Sequence, residues 1–269
     1  MSCITLLSDL GLRDATVAAA RGILMQAIPN VVLTDITHLV EPYHMQQAAY
    51  LLASASRHYP AGTCHIVLFD IFSEKIPRLV LCHKDGQYYL APDNGVLALA
   101  FGAANMDVWI CHELQPPGTF KDWITEAGKI AASLQSIMPA DLGVKKCELK
   151  NAPQNCRPLV EANSVECQVI HIDRFENIVI NITKPQFESI GRHRPFRISF
   201  MRDEEITEIS MHYYDVKPGE KLCRFNDAGY LEIAINRGPA ASLIGLQINL
   251  QGHTKAAHQL YNVIKIFFE

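Results

Sequence analysis

Along the first half of the chain the hydrophobic positions switch between two periods. Residues 4–8 form a short apolar run that ends in Asp9, Gly11 and Asp14, and from Thr16 to Ala27 apolar side chains recur at the spacing of a helix face. Pro29 and Asn30 stop that helix, residues 31–36 make a second strand, and His44 to His58 reads as a helix opened near Pro42. A third strand, residues 63–69, follows the turn at 60–62. Strands at 79–83 and 88–91 flank Asp85-Gly86 as a hairpin, and Pro92-Asp93-Asn94-Gly95 opens a helix toward Ala104. A strand at 108–112, a Pro116-Pro117-Gly118 loop and a helix from Ile124 to Ile137 complete this half. Strands alternating with helices predict a mainly parallel sheet covered on both faces.

Between Pro139 and Glu161 the chain turns polar and irregular, as a linker would, with Lys145, Lys146, Lys150, Asn151, Pro153, Asn155 and Pro158. The expected division is an α/β domain over residues 1–150 and a β domain over 160–269. Beyond the linker, short β-type runs at 165–172, 178–182, 196–200, 230–236 and 248–250 predict a small antiparallel barrel or sandwich.

Composition narrows the chemistry. At 269 residues, 49% hydrophobic and 19% charged, the chain has apolar material for two cores. Its net charge of -4 is spread without a basic stripe, so nucleic acid is not an expected partner. No run of eighteen apolar residues and no basic, then apolar, N-terminal segment occurs, so neither a membrane span nor a leader is expected, and the cytoplasm is the expected location. The eight cysteines form no CxxC pair and the eleven histidines no HExxH, so reduced core thiols and no metal are expected.

Ligands of open α/β sheets collect beyond the carboxyl ends of the strands. Asp9, Asp35, Asp70 and Asp93 each stand at or just after such an end or a turn. Any of them can equally cap a helix or build a turn, and Asp93-Asn94-Gly95 suits a pure turn best. Asp9 is the strongest functional candidate, because a strand-end carboxylate can accept both hydroxyls of a ribose. No GxGxxG or Walker loop is present.

Ser8-Asp9-Leu10-Gly11 with Asp14, Asp35-Ile36-Thr37-His38, Gly62-Thr63 and Pro92-Asp93-Asn94-Gly95 follow one another in an order that resembles the S-adenosylmethionine hydroxide adenosyltransferases and their chlorinase and fluorinase relatives. The second half is similar too, through residues 171–177 (HIDRFEN) with Asn181 and residues 226–234 (NDAGYLEIA). Each motif alone is weak; six in order over nearly the whole chain are specific together. The resemblance implies an α/β domain joined to a smaller β domain, assembled as a homotrimer with sites at subunit interfaces. It also implies attack of a water-derived hydroxide or a halide on the 5′ carbon of S-adenosylmethionine, expelling methionine. S-adenosylmethionine is then the substrate, and no cofactor is implied.

Carried over by position, Asp9 would hold the ribose, Tyr43 would pack beside the sugar, and Tyr213 would stack on adenine. Asp173 would take the methionine ammonium and Asn177 the adenine edge; a turn between two strands is the alternative use of that pair, and core or interface packing that of the tyrosines. Asp70, at a strand end, and Arg78, closing the next loop, would arrange water, with Ser73 and Phe120 also against substrate.

Three features depart from the family pattern. Residues 71–77 (IFSEKIP) lack the family's glycines, and with them the freedom of positive φ and close backbone approach. Lys121 replaces the hydrolases' histidine; with an unperturbed pKa of ~10.4 it is a poor proton acceptor, and a structural pair with Asp70 or Asp122 is favoured over a catalytic role. Asp227 replaces a serine that meets the methionine carboxylate, which argues for a ligand without that carboxylate unless Arg224 or Arg237 intervenes, or else for a solvent-facing turn. Three readings follow: a hydrolase giving adenosine and methionine, a relative that binds adenosine or a 5′-substituted nucleoside without turnover, and an assembly protein that keeps only the trimer. Halogenation is disfavoured, because a halide site needs small donors in a dry pocket, not a Lys121-Asp122 charge pair.

Overall fold

The computed structural model describes residues 3–102, 106–201, 204–246 and 263–269. They form two compact units, Met1–Pro153 and Gln154–Glu269.

The first unit runs β1 (Cys3–Ser8), α1 (Thr16–Ala27), β2 (Val32–Thr37), α2 (Met45–Ser56), β3 (Cys64–Leu68), β4 (Arg78–Lys84), β5 (Gln87–Pro92), α3 (Val96–Phe101), β6 (Asp107–Glu113), α4 (Phe120–Ser133) and the two-residue β7 (Lys145–Lys146). The sheet order is β2-β1-β3-β5-β4-β6-β7. Its first four strands are parallel, and β4, β6 and β7 continue it antiparallel. The period-2 pattern explains how both faces are covered. Ile4, Leu6, Ile66 and Leu68 pack with Leu24 of α1 and Trp123 of α4, while Leu7, Val67 and Phe69 point to the other face, against Leu52 of α2 and Val96 of α3. One polar pair is sealed within the sheet, Thr5 Oγ1 to His65 Nδ1 at 2.7 Å.

Part of the expected linker belongs to this unit. Lys145–Lys146 adds an edge strand to β6, and Gly95 (φ +100°) lets residues 151–152 pass so close that a Cβ there would lie 3.1 Å from Asn151 O.

The second unit contains β8 (Leu159–Val160), β9 (Ser164–Ile172), β10 (Ile178–Thr183), α5 (Lys184–Gly191), β11 (Phe196–Met201), β12 (Glu204–Ile206), β13 (Lys221–Phe225), β14 (Tyr230–Ile235), the one-turn α6 (Ala240–Leu243) and β15 (Val263–Phe268). Its antiparallel sheet has the order β12-β11-β15-β9-β10-β14-β13, and a bridge from Ile209 to Cys223 brings the two end strands almost to closure. The architecture is thus an α/β unit followed by a nearly closed β-barrel. α5, β12, β13 and β15 have no counterpart in the sequence reading, and the strand expected at 248–250 lies outside the described residues.

All eight cysteines are free, four of them buried. Among the described residues no helix is long and apolar enough to cross a membrane, and no three His, Cys, Asp or Glu side chains are grouped to hold a metal ion.

Candidate functional site

Parallel pairing of β1 with β3, in register at Ser8 and Leu68, sets the residues just past both strands side by side. Asp9 Oδ2 therefore accepts a hydrogen bond from the Asp70 backbone N–H at 3.2 Å. Burial raises the pKa of both carboxyls; for Asp9 the backbone hydrogen bonds oppose the rise and the Asp70 charge adds to it. Asp70 has φ +45°, a conformation that a non-glycine residue holds only when its surroundings enforce it. Asn94 supplies that enforcement, donating through Nδ2 to Phe69 O (3.0 Å) and Asp70 O (3.4 Å) while its Oδ1 accepts from Val96 N (3.1 Å). The segment 92–95 is more than a turn: it braces the Asp70 corner.

The loop after Asp70 is exposed from Phe72 to Ile76, with Ser73 N–H reaching Asp70 O at 3.4 Å. Arg78 does not pair with Asp70. Its guanidinium bonds Asp93, whose side chain is 1% exposed and whose Oδ1 also accepts from Lys150 N at 2.9 Å. Lys121 is exposed and forms no ion pair among the described residues, which corrects the expected structural pair. The reason is local. Asp122 is taken by a capping box with Thr119, whose backbone N–H and hydroxyl donate to it at 2.9 and 2.7 Å. Those bonds hold the Asp122 carboxyl below its usual range, with Lys121 a lesser contributor. Phe120 opens the same helix and packs against the core, and Tyr43, at φ +64°, stands 83% exposed ahead of α2.

From Ser8, next to Asp9, runs a polar chain that is buried at Ser8 and His38 and part-exposed at Asp35 and Arg21. Arg21 of α1 bonds Asp35 Oδ2, Asp35 Oδ1 lies 3.1 Å from His38 Nε2, and His38 Nδ1 lies 2.7 Å from Ser8 Oγ.

In the second unit, Asp173 and Asn177 are engaged with each other in the turn between β9 and β10. Asp173 Oδ1 accepts from Phe175 N (2.8 Å) and Asn177 N (2.9 Å), and Oδ2 from Asn177 Nδ2 (2.9 Å). Tyr213 donates its hydroxyl to Glu232 Oε1 at 2.7 Å, and the Arg224 guanidinium covers one face of its ring at 4.9 Å. Arg224 and Glu232 are direct partners across β13 and β14. Burial raises the pKa of Glu232; Tyr213 and Arg224 oppose the rise, and Asp173 and the exposed Asp227 add to it. Three of the expected binding residues thus act on one buried acid that was not among the candidates: Tyr213 by a hydrogen bond, Asp173 and Asp227 by charge. Its only signal in the sequence is a charge inside an apolar strand, YLEIAI, on the face opposite Leu231, Ile233 and Ile235, which enter the barrel core.

Two open hollows among the described residues bear on the site. One, of ≈ 650 Å³, is bordered by Tyr213, Lys217, Asn236 and Arg237; the other, of ≈ 500 Å³, lies beside Asp122 and Lys129 and contains none of the expected binding side chains.

Comparison with known proteins decides the family. The SAM hydroxide adenosyltransferase N-terminal domain matches residues 4–127, and its C-terminal domain residues 167–251. The chain belongs to the SAM hydroxide adenosyltransferase family. A relative from Salinispora tropica named (R)-S-adenosyl-L-methionine hydrolase is 31% identical over 260 residues, covering 90% of this chain and 94% of its own. A fluorinase from Nocardia brasiliensis is 27% identical, covering 94% and 96%. Among solved structures, an uncharacterized conserved protein from Thermotoga maritima superposes with TM-score 0.78 at 26% identity, over 98% of this chain and 99% of its own. Both halves of the chain, each with its own constellation, therefore belong to one family architecture.

Proposed function

We propose that the protein hydrolyses S-adenosylmethionine to adenosine and methionine. The observation that carries this reading is the pairing of Asp9 with Asp70 at adjacent strand ends, two sheltered carboxyls of raised pKa held by a strained, braced corner. Asp9 holds the ribose hydroxyls. Asp70 orients a water and accepts its proton as the oxygen attacks the 5′ carbon; the C5′–S bond breaks, and its electron pair stays on sulfur as the methionine thioether. A sulfonium is a good enough leaving group that alignment and desolvation suffice, so the reaction needs no metal or cofactor. Tyr213, clamped by Glu232 and Arg224, offers its second face to adenine. Tyr43, Ser73, Phe120, Asp173, Asn177 and Asp227 complete the substrate contacts, with Arg78, at the start of β4, and Lys121, in the first turn of α4, acting on the water.

The assembly we propose is a homotrimer that brings the two constellations together at its interfaces. Its support is the exposure of Leu12 (65%), Leu39 (64%), Tyr43 (83%) and Phe72 (52%) around the strand ends of the first unit, and of Phe175 and Tyr214 (76% each) in the second. Eight free thiols fit a reducing, cytoplasmic setting.

A second reading, binding without turnover, is favoured by the engagement of Arg78 with Asp93 and by the unpaired Lys121 among the described residues. Incubation with S-adenosylmethionine separates the two. Hydrolysis gives adenosine and methionine in equal amounts, and Asp70→Ala lowers the rate about 10²- to 10⁴-fold. A calorimetric titration that shows binding while no adenosine accumulates supports the second reading and overturns the first.

A further inference from the structure

The chain Arg21–Asp35–His38–Ser8 is not used by the chemistry above, yet it ends on the residue beside Asp9. Ser8 is fully buried and the His38 side chain is 2% exposed. Three further bonds converge on the same point: Ser8 Oγ accepts from Leu10 N (3.4 Å), His38 O from Gly11 N (2.7 Å) and Ser8 O from Val40 N (3.3 Å). Asp9 is thus flanked on both sides by residues whose positions His38 and Ser8 fix. We propose that His38 is a positioning residue, which in its neutral form orients the Asp9 carboxylate through Ser8 and is itself anchored by the Arg21–Asp35 pair. This rests on the reading that Asp9 holds the ligand.

The directionality supports it. Ser8 Oγ already accepts from Leu10 N–H, so its own proton is free to go to His38 Nδ1 at 2.7 Å, which a neutral imidazole with its proton on Nε2 can accept. Asp35 Oδ1 lies 3.1 Å from Nε2 as a charged neighbour without the alignment of a hydrogen bond. Protonating Nδ1 removes that acceptor and strands the Ser8 hydroxyl proton in a site without water contact, which loosens the turn that carries Asp9. The charged groups facing His38 are Arg21 from α1 and Asp35 from β2; α2 carries no charged residue. Burial, and then Arg21, hold its pKa below the ordinary histidine range, so the neutral form persists into mild acid.

Two variants and two readouts test this. His38→Gln removes the imidazole relay, and Arg21→Met removes only the half-exposed outer anchor, so that at least one variant folds. In the ligand-free protein, carbon-13 NMR of the Asp9 carboxyl should show its titration falling back toward the ordinary carboxylate range in both variants as Asp9 gains water. Calorimetry with S-adenosylmethionine should show weaker binding by His38→Gln, on the order of tenfold to a hundredfold. Arg21→Met, having lost a cation beside the imidazole, should lose affinity at a higher pH than the parent. An Asp9 titration unchanged in both variants, with melting temperature alone reduced, overturns the proposal and leaves the chain a structural brace. If the parent binds no S-adenosylmethionine, the functional reading fails, while the Asp9 titration still decides this one.

Discussion

Two carboxylates withdrawn from water at neighbouring strand ends oppose folding whenever both are ionised. For Asp9 and Asp70 the native pKa is raised, so their contribution to stability is fully present below the unfolded pKa and is lost as pH rises through the native one. Asp9→Asn keeps an acceptor for Asp70 N–H and removes the charge. It should raise the melting temperature at neutral pH, with the gain vanishing below about pH 4, where the parent carboxyl is protonated as well. Scanning calorimetry at pH 7 and pH 3.5 checks this; equal melting temperatures at pH 7 would mean that Asp9 is no sheltered acid. At this scale the sequence is informative about acids that end strands, because a strand end is a local feature. It marks Asp93 only as a turn and gives no role to Glu232 or His38, because the importance of all three lies in burial and in partners 15 to 30 residues away. Lys121 misleads for the converse reason: its neighbour Asp122 looks available in one dimension, but the helix start claims it.

Elements follow the local pattern where the pattern is strong. α1 occupies Thr16–Ala27, the span its periodicity predicts, and β1 and β3 end within a residue of their apolar runs. α4 begins at Phe120, four residues before the apolar periodicity becomes regular, because the Thr119–Asp122 capping box satisfies the first backbone N–H groups. Thr119→Ala should therefore cost about 1 kcal/mol in chemical denaturation, with the fold retained. No loss of stability would show that packing of Trp123 and Ile124 alone sets the start of α4. α5 carries the same kind of signal, Thr183 with Gln186 around Pro185, but it is one of the shortest helices and only Phe187 and Gly191 are buried. A window of eight residues gives too little periodicity to register. β13 and β15 are absent from the sequence reading, and their place is fixed by partners, β14 in one case and β9 with β11 in the other.

For the whole molecule, the change from alternating helices and strands to strands alone is legible in the hydrophobic pattern, and the two architectures follow from it. The reversal to antiparallel pairing at β4, β6 and β7 follows from the Asp85-Gly86 hairpin, which returns β5 beside β4 and lets the sheet grow past it. Function at this scale depends on whether the strand-end acids of the first unit and the Tyr213–Glu232 constellation of the second serve one reaction. The most direct test is to incubate the protein with S-adenosylmethionine in water enriched in oxygen-18 and weigh the products by mass spectrometry. The account predicts adenosine carrying one oxygen-18 at its 5′ hydroxyl and methionine carrying none. Adenosine without label, a chlorinated nucleoside formed from chloride in the buffer, or intact S-adenosylmethionine after prolonged incubation would contradict it.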